Sequence, residues 1–567
     1  MDQILASPTR KFVDHDFDAG SLPACEALFE RLQSRPIESV ADLEQWLLDE
    51  SELTSCIGAE LARRYIAMTR ATDDAEAREA YVSFERDVMP RVKVLSDRLD
   101  KRFLSCPHAA ELDPARYEVL LLKRRTRSAI FREANTELQK REAELQTRHQ
   151  ETMAALTVSF DGKQLTLQQL APYMEEQDRS LREGAFRAGI EARRRTWGAM
   201  EDVFDELVAI RTAMAANAGH ASYIPFRFLE LQRFDYAEED CRQFHASVER
   251  HVVPAVRELN RRRAAALRLE ALRPWDVDVD PEGSPPLKPF STERELIDLA
   301  RGIFGRVDPR FAREFDVLVE RDLLDLMSRK GKAPGGYQYA LEDERVPFIF
   351  ANAAGLHRDV QTLLHEGGHA FHTLLSRHLD LSADRDCWIE FAETTSMSME
   401  LMGLERLAPA YAPADAARAR RQHLEGILRV LVWIASIDAF QLHVYAHPDE
   451  PRDARREAWL AIRRRFSTGV DWSTFEDALA MQWIGQIHLF HHPLYYVEYG
   501  IAQLAALQIW REFRRDPGAA VESYRSALSL GGSKRLPELF AAAGILFDFS
   551  EAMVGELVAE VVRELPA

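Results

Sequence analysis

The sequence predicts a mainly α-helical protein with one small β-sheet, and three stretches carry that prediction. From Pro114 to Leu156 the chain is rich in Leu, Ala, Glu, Lys, Arg and Gln, and contains no Gly or Pro after Pro114. That is the composition of long helices. Beyond Gln361 the pattern is again helical, apart from a loop near His447 to Arg452. Between them Gly331 to Ala354, GKAPGGYQYALEDERVPFIFANAA, alternates Gly-rich loops with Tyr337, Tyr339 and the β-prone run Val346 to Phe350. This is the best candidate for a sheet.

The elements follow in order. Met1 to Asp18 lacks the basic and apolar regions of a secretion signal. The charges between Pro114 and Leu156 show no clean heptad repeat, so a packed helical hairpin is expected there rather than a coiled coil. A break at Ser159 to Lys163, turning at Asp161-Gly162, precedes helices through Asn217. Arg273 to Ser291 carries five prolines and reads as an irregular surface connection, anchored by Trp275, Val277, Val279 and Phe290. Two more helices lead to the predicted sheet. The most apolar stretch, Val430 to Ile437, is far shorter than the about 20 residues of a bilayer span, and so reads as a buried helix. A helical N-terminal region over 1–200 and a catalytic region over 201–567 are the expected divisions.

Composition narrows the function. With 92 acidic against 73 basic residues the formal charge is −19, the wrong sign for neutralising phosphates, so neither nucleic acid nor an anionic membrane surface is an expected partner. Five dispersed cysteines without a CxxC pair read as reduced thiols in a cytoplasmic protein. Oligomeric state leaves no signal.

The chemistry concentrates in QTLLHEGGHAFHTLL, residues 361–375. His365-Glu366-Gly367-Gly368-His369 is an HExxH motif: on a helix both imidazoles face one way and can bind one zinc ion, while Glu366 reaches a water on that ion without being a ligand. Leu363, Leu364, Ala370, Phe371, Leu374 and Leu375 mark the helix as buried, where unpaired histidines are costly. The two glycines weaken the helix, and their expected benefit is room for a close backbone or substrate approach. A catalytic zinc needs a third protein ligand and one open position. Trp388 to Leu404, WIEFAETTSMSMELMGL, offers Glu390, Glu393 and Glu400 on an otherwise apolar helical pattern.

HEGGHAFH, with 23 residues between His369 and the Glu393 of WIEFAE, resembles the M3 family of zinc metallopeptidases, as does the C-terminal LPELFAAAGILFDFS. The resemblance is strong over residues 200–560. It implies His365, His369 and Glu393 as ligands of one Zn2+ per chain and Glu366 as general base. His372 matches the family's HExxHxxH pattern and reads equally as a hydrogen-bonded core histidine. Glu390 and Glu400 fit as acceptors orienting the ligand imidazoles. A further run, WIGQIHLFHHPLYYVEY from Trp483 to Tyr499, resembles the family region in which a histidine and tyrosines face the zinc. His488 and Tyr499 match best, Tyr496 follows, and Tyr495 is its rival. Thermolysin-like and aminopeptidase spacings would place the third ligand at Ile389 or Trp388, which cannot bind zinc.

The resemblance implies a zincin-type catalytic region, with long helices walling a deep substrate channel. It also implies a cytoplasmic metalloendopeptidase that hydrolyses internal bonds of short, unfolded oligopeptides. The strand Val346 to Asn352 is expected beside the zinc helix, with Phe350, Ala351 and Asn352 at an exposed edge that pairs with the substrate main chain. The alternatives are a peptidyl-dipeptidase of the angiotensin-converting type, and a non-catalytic helical scaffold holding a structural zinc. Such a scaffold would close its fourth zinc position with Cys or His.

Overall fold

The computed structural model describes residues 8–565. Helices dominate it, and five strands form two small sheets. The chain forms two compact units whose segments alternate: Met1–Phe131, Leu287–Arg420 and Ile501–Phe547 make the first, and Arg132–Pro286, Arg421–Gly500 and Asp548–Ala567 the second. The boundary expected at residue 200 falls inside the helix Trp197–Asn217 of the second unit.

Sequence rules account for many helix starts. Asp113 caps Pro114–Ile130 by accepting from the Ala115 N–H, with Pro114 in the first turn, where its missing donor costs nothing. Thr292 and Glu295 form a reciprocal capping box at Glu293–Val307. The stretch expected as a hairpin breaks at Phe131–Ala134. Pro114–Ile130 packs on Met89–Ser105 in the first unit, and Asn135–Ala154 on Trp197–Asn217 in the second. The break expected at Ser159 to Lys163 is a β-hairpin, β1 (Thr157–Phe160) with β2 (Lys163–Thr166). Asp161 and Gly162 turn it with φ of 50° and 71°, the left-handed pair that a two-residue hairpin needs.

The first unit holds the other sheet: β3 (Leu324–Met327), β4 (Tyr337–Leu341) and β5 (Val346–Ala353), in spatial order β3-β5-β4. β3 runs parallel to β5 and β4 antiparallel to it, pairing Tyr337 with Phe350. The run Val346 to Asn352 therefore lies in the central strand, and Phe350 is paired on both sides and is no edge. The β4 ladder ends at Phe350 and the β3 ladder is irregular between Asp325 and Met327, so Ala351 and Asn352 lie beyond the regular pairing. Asn352 spends its side-chain amide on the carbonyls of Ala333 and Gly335. Near-continuous burial along β5 fits this position, since a strand covered on both faces reads as an unbroken apolar run. β4 is half-buried and takes the edge.

β5 leads into the helix His357–Ser376, which carries the motif and packs against β5 and against Ile389–Leu404. The helix Pro413–Ala446 is long and apolar enough to cross a bilayer, with a mean hydropathy of 1.5 over 18 residues, yet 72% of that window is buried within the protein. It is a core helix. All five cysteines are free, Cys25, Cys56 and Cys241 being buried.

Candidate metal centre and active site

Two helices bring the predicted ligands together. His365 and His369 lie one turn apart on His357–Ser376, their rings 4.9 Å between centroids and nearly perpendicular. Glu393, on Ile389–Leu404, places Oε2 3.4 Å from His365 Nε2 and 3.8 Å from His369 Nε2. The ligand atoms of these three residues all lie within 4.8 Å of one another. Both imidazoles remain part-exposed while Glu393 is buried. That arrangement leaves a side open, as a catalytic rather than a structural site requires.

Glycine makes this meeting possible. A Cβ on Gly367 would fall 2.5 Å from the Phe304 ring, and one on Gly368 equally close to the backbone of Ser396. The pair therefore buys close helix packing. Tyr524 fastens the same crossing from outside, donating its hydroxyl to the Thr395 carbonyl at 2.8 Å.

Glu400 lies 2.7 Å from Nδ1 of His365. This carboxylate fixes the ring so that Nε2 points at the shared centre, the usual support of a metal-binding imidazole. Ser396 Oγ supports Glu393 Oε2 at 3.3 Å. The third acid, Glu390, is buried one turn before Glu393 and is not one of the three convergent groups. His372 is buried against the Phe391 ring and also stays outside the cluster.

Electrostatics favours a cation at this point. Burial opposes charge on His365, but hydrogen bonds to Glu393 and Glu400 overcome it and raise the imidazole well above its usual range. Burial pushes Glu393 up, and contact with His365 and His369 more than reverses this. Burial holds His369 down to about 4, neutral and with a lone pair to give. Two imidazole nitrogens and one carboxylate oxygen are the donor set of a zinc hydrolase, so the residues fit that ion.

Glu366 stands beside the cluster, 6% exposed. Burial, with smaller contributions from Glu393 and Glu400, raises its carboxyl to about 7 against the opposing His365 charge and the backbone N–H of Gln338. A carboxylate tuned near neutrality suits a general base. Gln338 lies on β4, so the edge strand of the sheet runs beside this base. Gly336, just before β4, would bring a Cβ within 3.6 Å of Glu366 Oε1.

The second unit gathers the other predicted group. The His488 ring lies 4.8 Å from that of Tyr496, 5.7 Å from Tyr499 and 6.0 Å from Tyr495. Trp433 Nε1 can only donate, and it does so to Gln486 Oε1 at 2.8 Å, which leaves the Gln486 amide nitrogen to donate to His488 Nδ1 at 2.6 Å. In neutral His488 the proton therefore sits on Nε2, 3.5 Å from the Tyr499 hydroxyl. Gln486 and Trp433 carry no motif and were invisible in the sequence, as were Ser396 and Tyr524. Only the fold gives them partners.

A mainly α fold with an HExxH helix and a convergent third glutamate defines a metallopeptidase. The chain belongs to peptidase family M3, whose sequence profile matches residues 172–558. It is similar to the solved structure of Pz peptidase A with an inhibitor, at 27% identity and a TM-score of 0.90, covering 98% of both chains. A structure provisionally described as an oligoendopeptidase F matches at 28% identity and a TM-score of 0.90, again over 98% of each chain. A similarly described chain from Bacillus anthracis matches at 26% identity and 0.85, over 97% of this chain and 96% of that one. No curated protein matches the sequence significantly.

Proposed function

We propose that this peptidase is a zinc-dependent endopeptidase that cuts internal bonds of short, unfolded peptides. The observation that carries the reading is the convergence of His365, His369 and Glu393 beside a buried Glu366. A zinc ion held by these three residues supplies Lewis acidity towards the scissile carbonyl and the attacking water.

The remaining steps belong to the chain. Glu366 accepts the proton of the attacking water, and then delivers it to the nitrogen of the departing amine. Glu400 holds the His365 ring in register through Nδ1. His488, with its proton on Nε2, and the hydroxyls of Tyr499 and Tyr496 are the donors proposed for the carbonyl oxygen as it gains negative charge. The substrate main chain is proposed to add to β4, the edge strand beside Glu366, rather than to β5. Pairing by main-chain hydrogen bonds demands an extended chain, which a folded protein does not offer.

Reduced thiols support a cytoplasmic setting. A zinc-loaded preparation should cleave peptides of roughly 5–15 residues and spare a folded protein of about 100 residues, because only an extended segment can pair with the edge. Efficient digestion of native proteins would contradict the reading.

A further inference from the structure

A cavity of about 460 Å³ opens within the first unit, and His369 and His372 of the motif helix form part of its wall. The protein is strongly acidic overall, yet five cations line this space, Lys123, Arg124, Arg127, Arg345 and Arg385, against the carboxylates of Glu50, Glu342 and Asp386. Three of the cations are neutralised. Arg124 pairs with Glu50 and Asp100, Arg127 with Asp100 at 2.9 Å, and Arg385 with Glu342 at 2.9 Å.

Two are not. Arg345 donates only to the carbonyls of Arg377 and Asp380 and meets no carboxylate at ion-pair distance among the described residues. Burial and the neighbouring charge of Arg385 push its guanidinium down to about 10, against the smaller opposing pull of the Asp380 and Glu342 carboxylates. Lys123, with 4% of its side chain exposed, holds the Asp386 carbonyl at 2.7 Å but reaches that residue's largely solvated carboxylate only at 3.6 Å. His372, 6% exposed, leaves Nε2 without a hydrogen-bond partner on the same wall. Arg345 is also held at φ 55° in the turn between β4 and β5, a left-handed conformation costly for any residue but glycine. A buried, under-neutralised cation is stabilised by an incoming anion.

We infer that this cavity is a substrate subsite for a carboxylate, received by Arg345 and Lys123 next to the metal ligand His369. The carboxylate is an Asp or Glu side chain of the bound peptide, or its free C-terminus. The inference rests on the peptidase reading and adds its specificity.

The test uses peptides of one length, N-acetylated, in which a single Glu is moved along the chain and replaced by Gln at each position. Each is made with a free and with an amidated C-terminus. At one position Glu should give a kcat/KM roughly 10- to 100-fold above Gln, expressed mainly in KM, as one charge-assisted buried contact predicts. If the preference follows the free C-terminus instead, the carboxylate is the terminal one. Arg345→Gln and Lys123→Gln should each pull the ratio towards one, and Arg345→Lys should retain part of it. The two sites are independent, so misfolding of one variant leaves the other to decide. Equal rates for Glu and Gln everywhere, with either terminus, would overturn the subsite and leave the peptidase reading standing. A preference unmoved by both Gln variants would overturn it too. Failure to cleave or bind any peptide would remove the peptidase reading and this inference together.

Discussion

A Cβ on Gly368 would sit 2.5 Å from the Cα of Ser396 and 2.8 Å from the carbonyl oxygen of Thr395. The helix bearing both histidines and the helix bearing Glu393 therefore touch backbone to backbone. That contact sets how closely the carboxylate approaches the imidazoles.

Gly368→Ala should push the two helices apart. The expected cost is about 1–3 kcal/mol, typical of an overpacked core, and is read from chemical denaturation. Zinc affinity should fall with it. Gly426→Ala is the control: it is exposed in mid-helix with nothing within 4 Å of an added Cβ. Alanine there should be neutral or stabilising by up to about 1 kcal/mol.

Glu400→Gln keeps the shape of the side chain but removes the charge that orients His365. Metal affinity, measured by competition with a chelator, should drop about 10- to 100-fold. An unchanged affinity would show that His365 is held by packing alone.

Glu366→Gln should leave zinc bound, since Glu366 lies outside the ligand set. Turnover should fall by about 10²–10⁴-fold or more, the usual value of a general base, with peptide affinity nearly unchanged. Loss of metal in this variant would instead make Glu366 a ligand.

Tyr499→Phe removes one hydroxyl. If that hydroxyl meets the carbonyl oxygen only as it becomes anionic, kcat should fall by about 10²–10³-fold with little change in KM. A rise in KM alone would make Tyr499 a ground-state binder. No change in either would place it in the aromatic packing around His488, and Tyr495 or Tyr496 should then be tested.

The parts legible in the sequence were those governed by local spacing. His365 and His369 sit four apart on one helix, so their convergence is a property of helical geometry. Glu393 came from a family spacing, and Glu400 from the cost of leaving an acid unpartnered on an apolar helix. Non-local facts escaped. β3 is only four residues long and gains its identity from pairing with β5, so nothing in Leu324–Met327 announces a strand. With β4 on the other side, the same strand takes Phe350 from the expected edge, because edge position depends on how many neighbours arrive, not on composition. Asp161-Gly162 announces its turn through residue type, but the flanking strands are four residues each, too short to show an alternating pattern. Cation excess around Arg345 arises from segments hundreds of residues apart and has no sequence signature.

The most direct measurement is a mass-spectrometric map of cleavage points after incubating the zinc-loaded protein with a mixed peptide library, beside the Glu366→Gln variant. The account predicts internal cuts in short peptides, with blocked termini tolerated, abolished by chelation and nearly absent in the variant. Release of dipeptides only from free C-termini would replace it with a peptidyl-dipeptidase. Cleavage that persists in Glu366→Gln and in the presence of a chelator would contradict the metal-centred account altogether.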